Sequence, residues 1–587
     1  MEDSAQLDDK RILEIAPAAK TMLTRRRFTV LAGAILGTSL LAACGGDDDD
    51  DDDEDDGGGS SQDPTEPSSP EEESDPTATE ADTDAGEEDS PTATTEDAPT
   101  ASDDDSVTRG GTLVYATNLD SQTLDPHFSS QLADRYAMYL IYNTLVAYDL
   151  DFNIVPDLAA SWDVSDDGMT ITFHLQENIS FHDGTPCDAE AVKWNLDRVM
   201  DEEVNSPLRS QLDVALESVE VVDAATVQLN LTQPWRPLLA ALGERPGFIV
   251  SPSAVEEFGE DYGRNPVGSG PFRFVEWVQD SHIALERSED YFDAESIYLD
   301  RIEMRHVPEE QVRITMIRTG EAHVVDRLTA GLLPTFEGAD DVVVVRTESA
   351  RIAFTRAYMD RPPFDNVDLR MALAYGTNRE EVNRVIYGET GRIATHPIGG
   401  GWAYDSSLDG EHFAYDPDKA REHLALSGFE GETLTYTDAN TQTTQQISVL
   451  LQSMYQELGL TIELETVEAA DKFPLIYEGT INWSSGSWAP RADPDGTMRV
   501  LWHSQGAQNS TGYNNPDFDS LIDEAATVYD PAEAAELYRQ AERILCEDAI
   551  YQFHVYTAEF AAHREGVEGF VVHPDLILRF RHLSLKS

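Results

Sequence analysis

Trp488 and Arg491 are the residues whose types and spacing come nearest to ligand chemistry. They stand in Gly486-Ser487-Trp488-Ala489-Pro490-Arg491-Ala492-Asp493-Pro494-Asp495. A guanidinium fork favours a carboxylate or another oxyanion and repels a buried ammonium. The indole can stack on a planar or cationic group. Asp493 or Asp495 would recruit an amine instead, if the loop is shifted. A purely structural reading stays open beside these: Trp488 packs a core and Arg491 closes a turn onto Asp493 or Asp495. Trp402, Tyr404, Asn509 and Tyr513 are further candidates for the walls of such a site.

No reacting constellation accompanies them. There is no Gly-x-Ser-x-Gly elbow, no His-Glu-x-x-His, no Cys-x-x-Cys and no phosphate loop. Val267-Gly268-Ser269-Gly270-Pro271 is glycine-rich but has no strand before it and no helix behind it. The 14 histidines are scattered, and His174 alternates within a strand as a surface or internally satisfied histidine does. Gly399-Gly400-Gly401 beside Trp402 reads as a flexible loop lining a cleft or a turn. With 112 Asp and Glu in the chain, some pair resembles an acid/base couple by chance. No catalysis, cofactor or metal is expected.

A second chemical signal lies at the start. Arg25-Arg26-Arg27 precedes an apolar run from Phe28 to Ala43 of 16 residues, short of the roughly 20 a spanning helix needs. Small residues then lead to Cys44. This is the order of an export signal. Arg25-Arg26-x-Phe28 resembles the twin-arginine signal, and Leu41-Ala42-Ala43-Cys44 resembles the lipobox, whose cysteine carries the lipid. A second methionine, Met22, is the expected true start. The readings are an export signal over 1–44 and a location outside the cytoplasmic membrane, held there by the lipid.

Residues 45–106 hold 27 Asp and Glu and no Lys or Arg. Such a segment buries too little apolar surface to offset its ordering entropy, so a disordered, self-repelling linker is expected. The remaining 107–587 carries 80 acids against 34 bases. That argues against nucleic acid and anionic membrane surfaces as partners. Beyond Cys44 only Cys187 and Cys546 remain. They allow one bridge, and burial as unbridged thiols is the expectation.

The elements that must position the site alternate along the chain. Strands are expected at Thr112–Thr117, Met169–Leu175 and Leu460–Val467. Hairpins are expected at Val219–Val222 with Thr226–Leu231, and at Phe272–Val278 with His282–Glu286. Helical spacing runs over Asp134–Tyr148, over a segment capped by Asp188, and over Asn366–Gly376, Asp418–Ser427, Gln446–Leu458 and Pro531–Glu547. The class is α/β with mixed sheets.

Several stretches, in order, resemble one family, the family 5 solute-binding proteins of ABC importers (the peptide/nickel/opine group). They are Val155-Pro156-Asp157-Leu158-Ala159-Ala160-Ser161-Trp162, Phe181-His182-Asp183-Gly184-Thr185-Pro186 and Asn265-Pro266-Val267-Gly268-Ser269-Gly270-Pro271-Phe272. Leu369-Arg370-Met371-Ala372-Leu373-Ala374-Tyr375, Tyr415-Asp416-Pro417-Asp418-Lys419-Ala420 and Tyr513-Asn514-Asn515-Pro516-Asp517-Phe518-Asp519 follow.

The resemblance implies a two-lobe periplasmic-binding-protein-like fold. The first lobe is discontinuous and enlarged by an extra subdomain, over 107–350 and 560–587; the second is 351–559. The chain should cross near Ser349–Met359 and return near Tyr551–Ala562. Ligand would select the closed state. The implied partners are a peptide-like solute and a permease's transmembrane subunits with cytoplasmic ATPases; a monomer is expected. In the family's peptide binders, the residue three after the Trp is an Asp that pairs with the peptide amine. Here Arg491 stands there, which tilts the expected solute toward an anion. The rival reading is an exported hydrolase acting on peptides or glycans, which needs a nucleophile–base pair or a metal cluster. A surface sensor on the same fold is a third.

Overall fold

The computed structural model describes residues 108–410, 412–489 and 491–586. The export-signal and linker readings, with Arg25, Arg26 and Cys44, lie outside these residues.

Two long strands carry the chain between lobes. Val342–Ala357, which opens on four valines, pairs antiparallel with Tyr551–Arg564. The ladder runs from Val342 opposite Arg564 to Glu348 opposite Ala558. It resumes at Ile352 opposite Tyr556, leaving Ser349, Ala350 and Arg351 off the pairing. On the near side of that break, Val324–Val325 joins the pair, followed by Thr112–Thr117, Arg301–His306, His282–Arg287 and Phe272–Val278. On the far side, Trp483–Trp488 lies along Ile352–Ala357, and Arg392–Ile393 along Val555 and Tyr556. One nine-stranded mixed sheet thus runs through both lobes.

Alternation along Thr112–Thr117 shows how the first lobe fills. Leu113 and Tyr115 enter a core with Phe272, Ile302 and Phe580. Val114 and Ala116 face the other side, against Ile317 and Phe560. A separate four-stranded antiparallel sheet contains Thr170–Leu175 and Thr226–Leu231. The helix Ala189–Met200 covers it, packing Val192 and Leu196 onto Phe173 and Leu229. In the second lobe, Thr433–Ala439 pairs parallel with Thr461–Val467 through the helix Gln442–Glu457.

Helix starts follow side-chain caps. Asp188, Asn366, Asp416, Asn515 and Asp530 each accept from backbone N–H groups of the first turn. The helical run expected over Asp134–Tyr148 is the helix Leu132–Ile141. The chain then leaves the helix because the buried Asp157 carboxylate takes the Thr144 N–H at 2.9 Å and the Asn143 side chain at 2.8 Å. The helix expected from Gln446 begins at Gln442, where Thr441 and Thr444 form a reciprocal cap. Gly268 lies so close to the Ile141 backbone that a Cβ there would sit 2.1 Å from its oxygen. The glycine-rich turn therefore serves close packing.

Cys187 and Cys546 are buried thiols in different cores, with no disulfide between them.

Candidate functional site

Two adjoining cavities lie where the lobes meet. The larger, about 450 Å³, is lined by Leu150–Asn153 and Pro574 of the first lobe, by Glu348 and Ala350 of the crossing, and by Gly399–Trp402 and Tyr404 of the second. The smaller, about 20 Å³, shares Ala350 and the glycine loop and adds Trp488, Arg491 and Thr497. That is room for a water molecule, not a solute. A groove of about 470 Å³ beside Trp194 is lined by the first lobe alone. It cannot be enclosed by lobe closure, and we place the site at the junction.

Trp488 ends the strand Trp483–Trp488 opposite Ile352. Its indole packs on the second-lobe core and donates to Thr497 Oγ1 at 3.1 Å. It both packs and lines the cavity. The Arg491 guanidinium lies 5.2 Å from the centre of that ring. The turn in which Arg491 closes onto Asp493 or Asp495 is not formed. Asp493 is held by Arg236, and Asp495 by Arg499 at 2.9 Å. Among the described residues no acceptor or carboxylate pairs with Arg491. Burial above all, then the nearby Arg135 and Arg351, pull its pKa below the ordinary guanidinium value, with Glu244 opposing.

Asp493 is taken from the ligand side. Arg236 of the first lobe grips it with both terminal nitrogens, one of them at 3.1 Å, and also donates to Tyr538 Oη at 3.0 Å. The reading in which Asp493 recruits an amine is corrected by this pair. Trp402 stacks on the same guanidinium at 4.6 Å and donates to the Ala492 carbonyl at 3.1 Å. Tyr404 reaches the larger cavity, its hydroxyl donating to Asp409 and accepting from Arg392 at 2.9 Å.

The structure thus brings Trp402, Tyr404, Trp488 and Arg491 to one junction. Asn509 and Tyr513 do not line it. Asn509 donates to the carbonyls of His503 and Tyr513 at 3.1 and 2.7 Å, and Tyr513 donates to Asp548 at 2.6 Å. Both hold the loop ahead of the helix Pro516–Thr527.

The sequence reading missed the first-lobe residue Arg236, which holds Asp493 and lies against Trp402. The one local cue was Trp235-Arg236 before a proline-started helix, Pro237–Ala241. Asp120, Asp280 and His306 form the one group among the described residues whose ligand-type atoms gather within 4.8 Å. None of the three lines either cavity.

Comparison with known proteins bears on this geometry. The family model for bacterial extracellular solute-binding proteins, family 5, matches residues 153–510. The chain is 28% identical over 484 residues to the glutathione-binding protein GsiB of Pectobacterium atrosepticum, covering 80% of this chain and 94% of that one. The substrate-binding protein CtaP of Listeria monocytogenes superposes with a TM-score of 0.75 at 24% identity, over 82% of this chain and 100% of that one. The periplasmic binding protein DppA of Helicobacter pylori, solved with the peptide STSA, superposes with a TM-score of 0.70 at 26% identity, over 82% and 99%. The chain with this two-lobed fold belongs to the family 5 extracellular solute-binding proteins.

Proposed function

We propose that the protein captures a peptide or peptide-like solute, with an acidic group, between its lobes and delivers it to the permease of an ABC importer. It is a binding protein, not an enzyme. One observation carries the reading. Trp402, Trp488 and Arg491 line one cavity at the junction, and Arg491 is a half-buried cation with no acceptor among the described residues. A carboxylate supplied by a solute satisfies it. A peptide or glutathione-like solute agrees with what the relatives are named for.

The lobes are taken as 107–350 with 560–587, and 351–559. Closure turns about the crossing strands, and the outer faces meet the permease's transmembrane subunits, driven by cytoplasmic ATPases. Arg25 and Arg26 direct export, and Cys44 carries the lipid that holds the protein outside the cytoplasmic membrane. Asn509 and Tyr513 support this site from behind through their loop.

Native mass spectrometry of 107–587 from its own host tests the reading. A stoichiometric small solute, released and identified under denaturing conditions, is the expected result. A solute without any acidic group would count against Arg491 as its anchor. Cys44→Ser should move the full chain from the membrane fraction to the soluble one.

A further inference from the structure

The glycine loop and Tyr404, which wall the larger cavity, are held from behind by one network of side chains. Arg392 donates Nη2 to the Gly399 carbonyl at 2.6 Å and Nη1 to Tyr404 Oη at 2.9 Å, and it pairs with Asp409 at 3.0 Å. Asp409 also accepts the Tyr404 hydroxyl. On the other side Glu542, of the helix Pro531–Glu547, accepts the Ile398 N–H at 2.9 Å. The wall therefore has two anchors, Glu542 at its root and Asp409 with Arg392 along its length.

His396 ties the two anchors together. Its side chain is fully buried, with Nδ1 2.8 Å from Glu542 and Nε2 2.9 Å from Asp409. An imidazolium donates from both nitrogens, whereas a neutral imidazole donates from one and presents a lone pair on the other. Both contacts are satisfied only by the charged ring. In that state the cations His396 and Arg392 face the anions Glu542 and Asp409. Around the ring stand also Tyr404, stacked on it at 6.0 Å, and Tyr556 of the crossing strand. Cys546, on the same helix as Glu542, lies 3.9 Å from the Thr395 carbonyl, and Arg539 of that helix is turned to Glu536 and Asp405. Burial opposes the charge on the ring, but the two carboxylates outweigh it and keep the imidazole above its ordinary 6.5.

Burial also decides which contact gives way when the ring becomes neutral. The Glu542 side chain is 1% exposed and the Asp409 side chain 33%. Water can replace a lost donor at Asp409 but not at Glu542. The remaining proton stays on Nδ1 toward Glu542, and Asp409 turns away from the Nε2 lone pair toward solvent. Tyr404 and Arg392, bonded to Asp409, lose their fixed partner, and with Arg392 goes the grip on Gly399.

We infer that His396 is a positioning residue of the solute site: protonated, it holds Asp409, and through it Arg392, Tyr404 and the glycine loop, in the shape that receives the solute, and loss of its proton loosens that wall. That the wall faces a solute rests on the function proposed above; the switch in the wall does not.

Two measurements on the whole protein keep these apart. Backbone hydrogen exchange over 398–409, corrected for the intrinsic effect of pH, reads the wall. Isothermal titration with reduced glutathione and with trialanine reads the solute site. Exchange of the segment should quicken ~10-fold as pH rises from below 6.5 through the raised value, while the first-lobe helix Ala189–Met200 shows no such step. His396→Gln, neutral at every pH, should exchange fast throughout. Glu542→Gln should remove the step in the opposite sense. Its amide donates to Nδ1, the neutral ring keeps its N–H for Asp409, and the wall stays slow. The melting curve of each variant is measured alongside, and Glu542→Gln carries the test if His396→Gln does not fold. The affinity of whichever probe binds should follow the wall, weakening with rising pH in the wild type and staying level in both variants. No exchange step in the wild type, or a step that survives in either variant, overturns the inference and leaves the peptide reading standing. A loosening wall with an affinity that ignores it overturns the role in the solute site. Binding of neither probe at any pH overturns the peptide reading, and the exchange step alone then upholds or overturns the switch.

Discussion

Arg236 of the first lobe and Asp493 of the second form a two-pronged ion pair in which each side chain is only 7% exposed. The pair is 257 residues apart in sequence and joins elements of the two lobes directly. Around it the Arg236 N–H donates to the Ala526 carbonyl at 2.8 Å, and the Trp235 N–H to Tyr529 Oη at 3.3 Å. Arg499 lies over the Trp235 ring at 4.8 Å. The segment leading into the helix Pro237–Ala241 is thereby clamped on the second lobe. A buried pair of this kind adds little net stability over an apolar pair of the same shape, but losing one partner strands the other charge.

Arg236→Met should therefore destabilise the solute-free protein by about 3–5 kcal/mol in denaturant titration. It should also raise the radius of gyration in small-angle scattering as the lobes part. Arg236→Met combined with Asp493→Leu should recover much of the lost stability. A double variant no more stable than the single would show that the two charges are not coupled.

Arg491→Met should separate affinity from stability. The wild-type guanidinium is half-buried with no acceptor among the described residues, so removing its charge should raise the melting temperature of the solute-free protein. Affinity for an acidic solute should fall ~10-fold or more. A lowered melting temperature with unchanged affinity would make Arg491 a packing residue.

Trp488→Ala should weaken solute binding and also cost stability, because the indole fills part of the second-lobe core and is tied to Thr497. A loss of about 2–4 kcal/mol fits a half-buried aromatic. The variant should remain folded by circular dichroism, and a scrambled spectrum would leave no binding role to assign.

His396 sets one arm of the pH profile. It lies between Glu542 at 2.8 Å and Asp409 at 2.9 Å, just ahead of the glycine loop. Burial works to lower its pKa, but the two carboxylates outweigh it and raise the imidazole above its ordinary 6.5. Its stabilising contribution is therefore complete below pH 6.5 and is lost as pH rises through the raised value. His127 and His554 act oppositely. Burial lowers them to about 4 and about 3. They stay neutral in the fold while the unfolded chain takes up protons, so stability falls as pH drops below 6.5. His396→Gln should flatten only the alkaline arm in denaturant titrations across pH. Flattening of the acid arm instead would reverse the assignment.

The two internal thiols should be silent. Burial pushes Cys187 up to about 12, and Cys546 lies in a separate core. A thiol reagent should label neither until denaturant is added, and then both. Labelling of neither after unfolding would indicate a bridge.

What could be read from the chain was local. Asp188, Asn366 and Asp530 announced helices because a cap acts on the next three residues. Pro516 after Asn515 carries the same signature for Pro516–Thr527. Trp488 and Arg491 were legible as a pair because the strand end and its loop are contiguous. Their first-lobe counterpart was not. Arg236 lies just ahead of the short helix Pro237–Ala241, and nothing in its neighbourhood says which distant loop will face it. Tertiary closure also decided Asp493. Its charge looked available beside Arg491 until Arg236 arrived from the other lobe.

Of Ser349, Ala350 and Arg351, the residues that leave the ladder between the crossing strands, Ala350 also reaches the site. Ala350 lines both cavities, and the glycine loop rests on it, with Gly399 pressed against the Tyr556 ring directly opposite Ile352. The joint and the receptacle are thus one piece of backbone. If the lobes turn about this stretch as proposed, a guest seated there would restrain those torsions directly, with no relay through either lobe's interior. Occupancy and posture become the same variable, and a docking membrane complex need sense only the second to know the first.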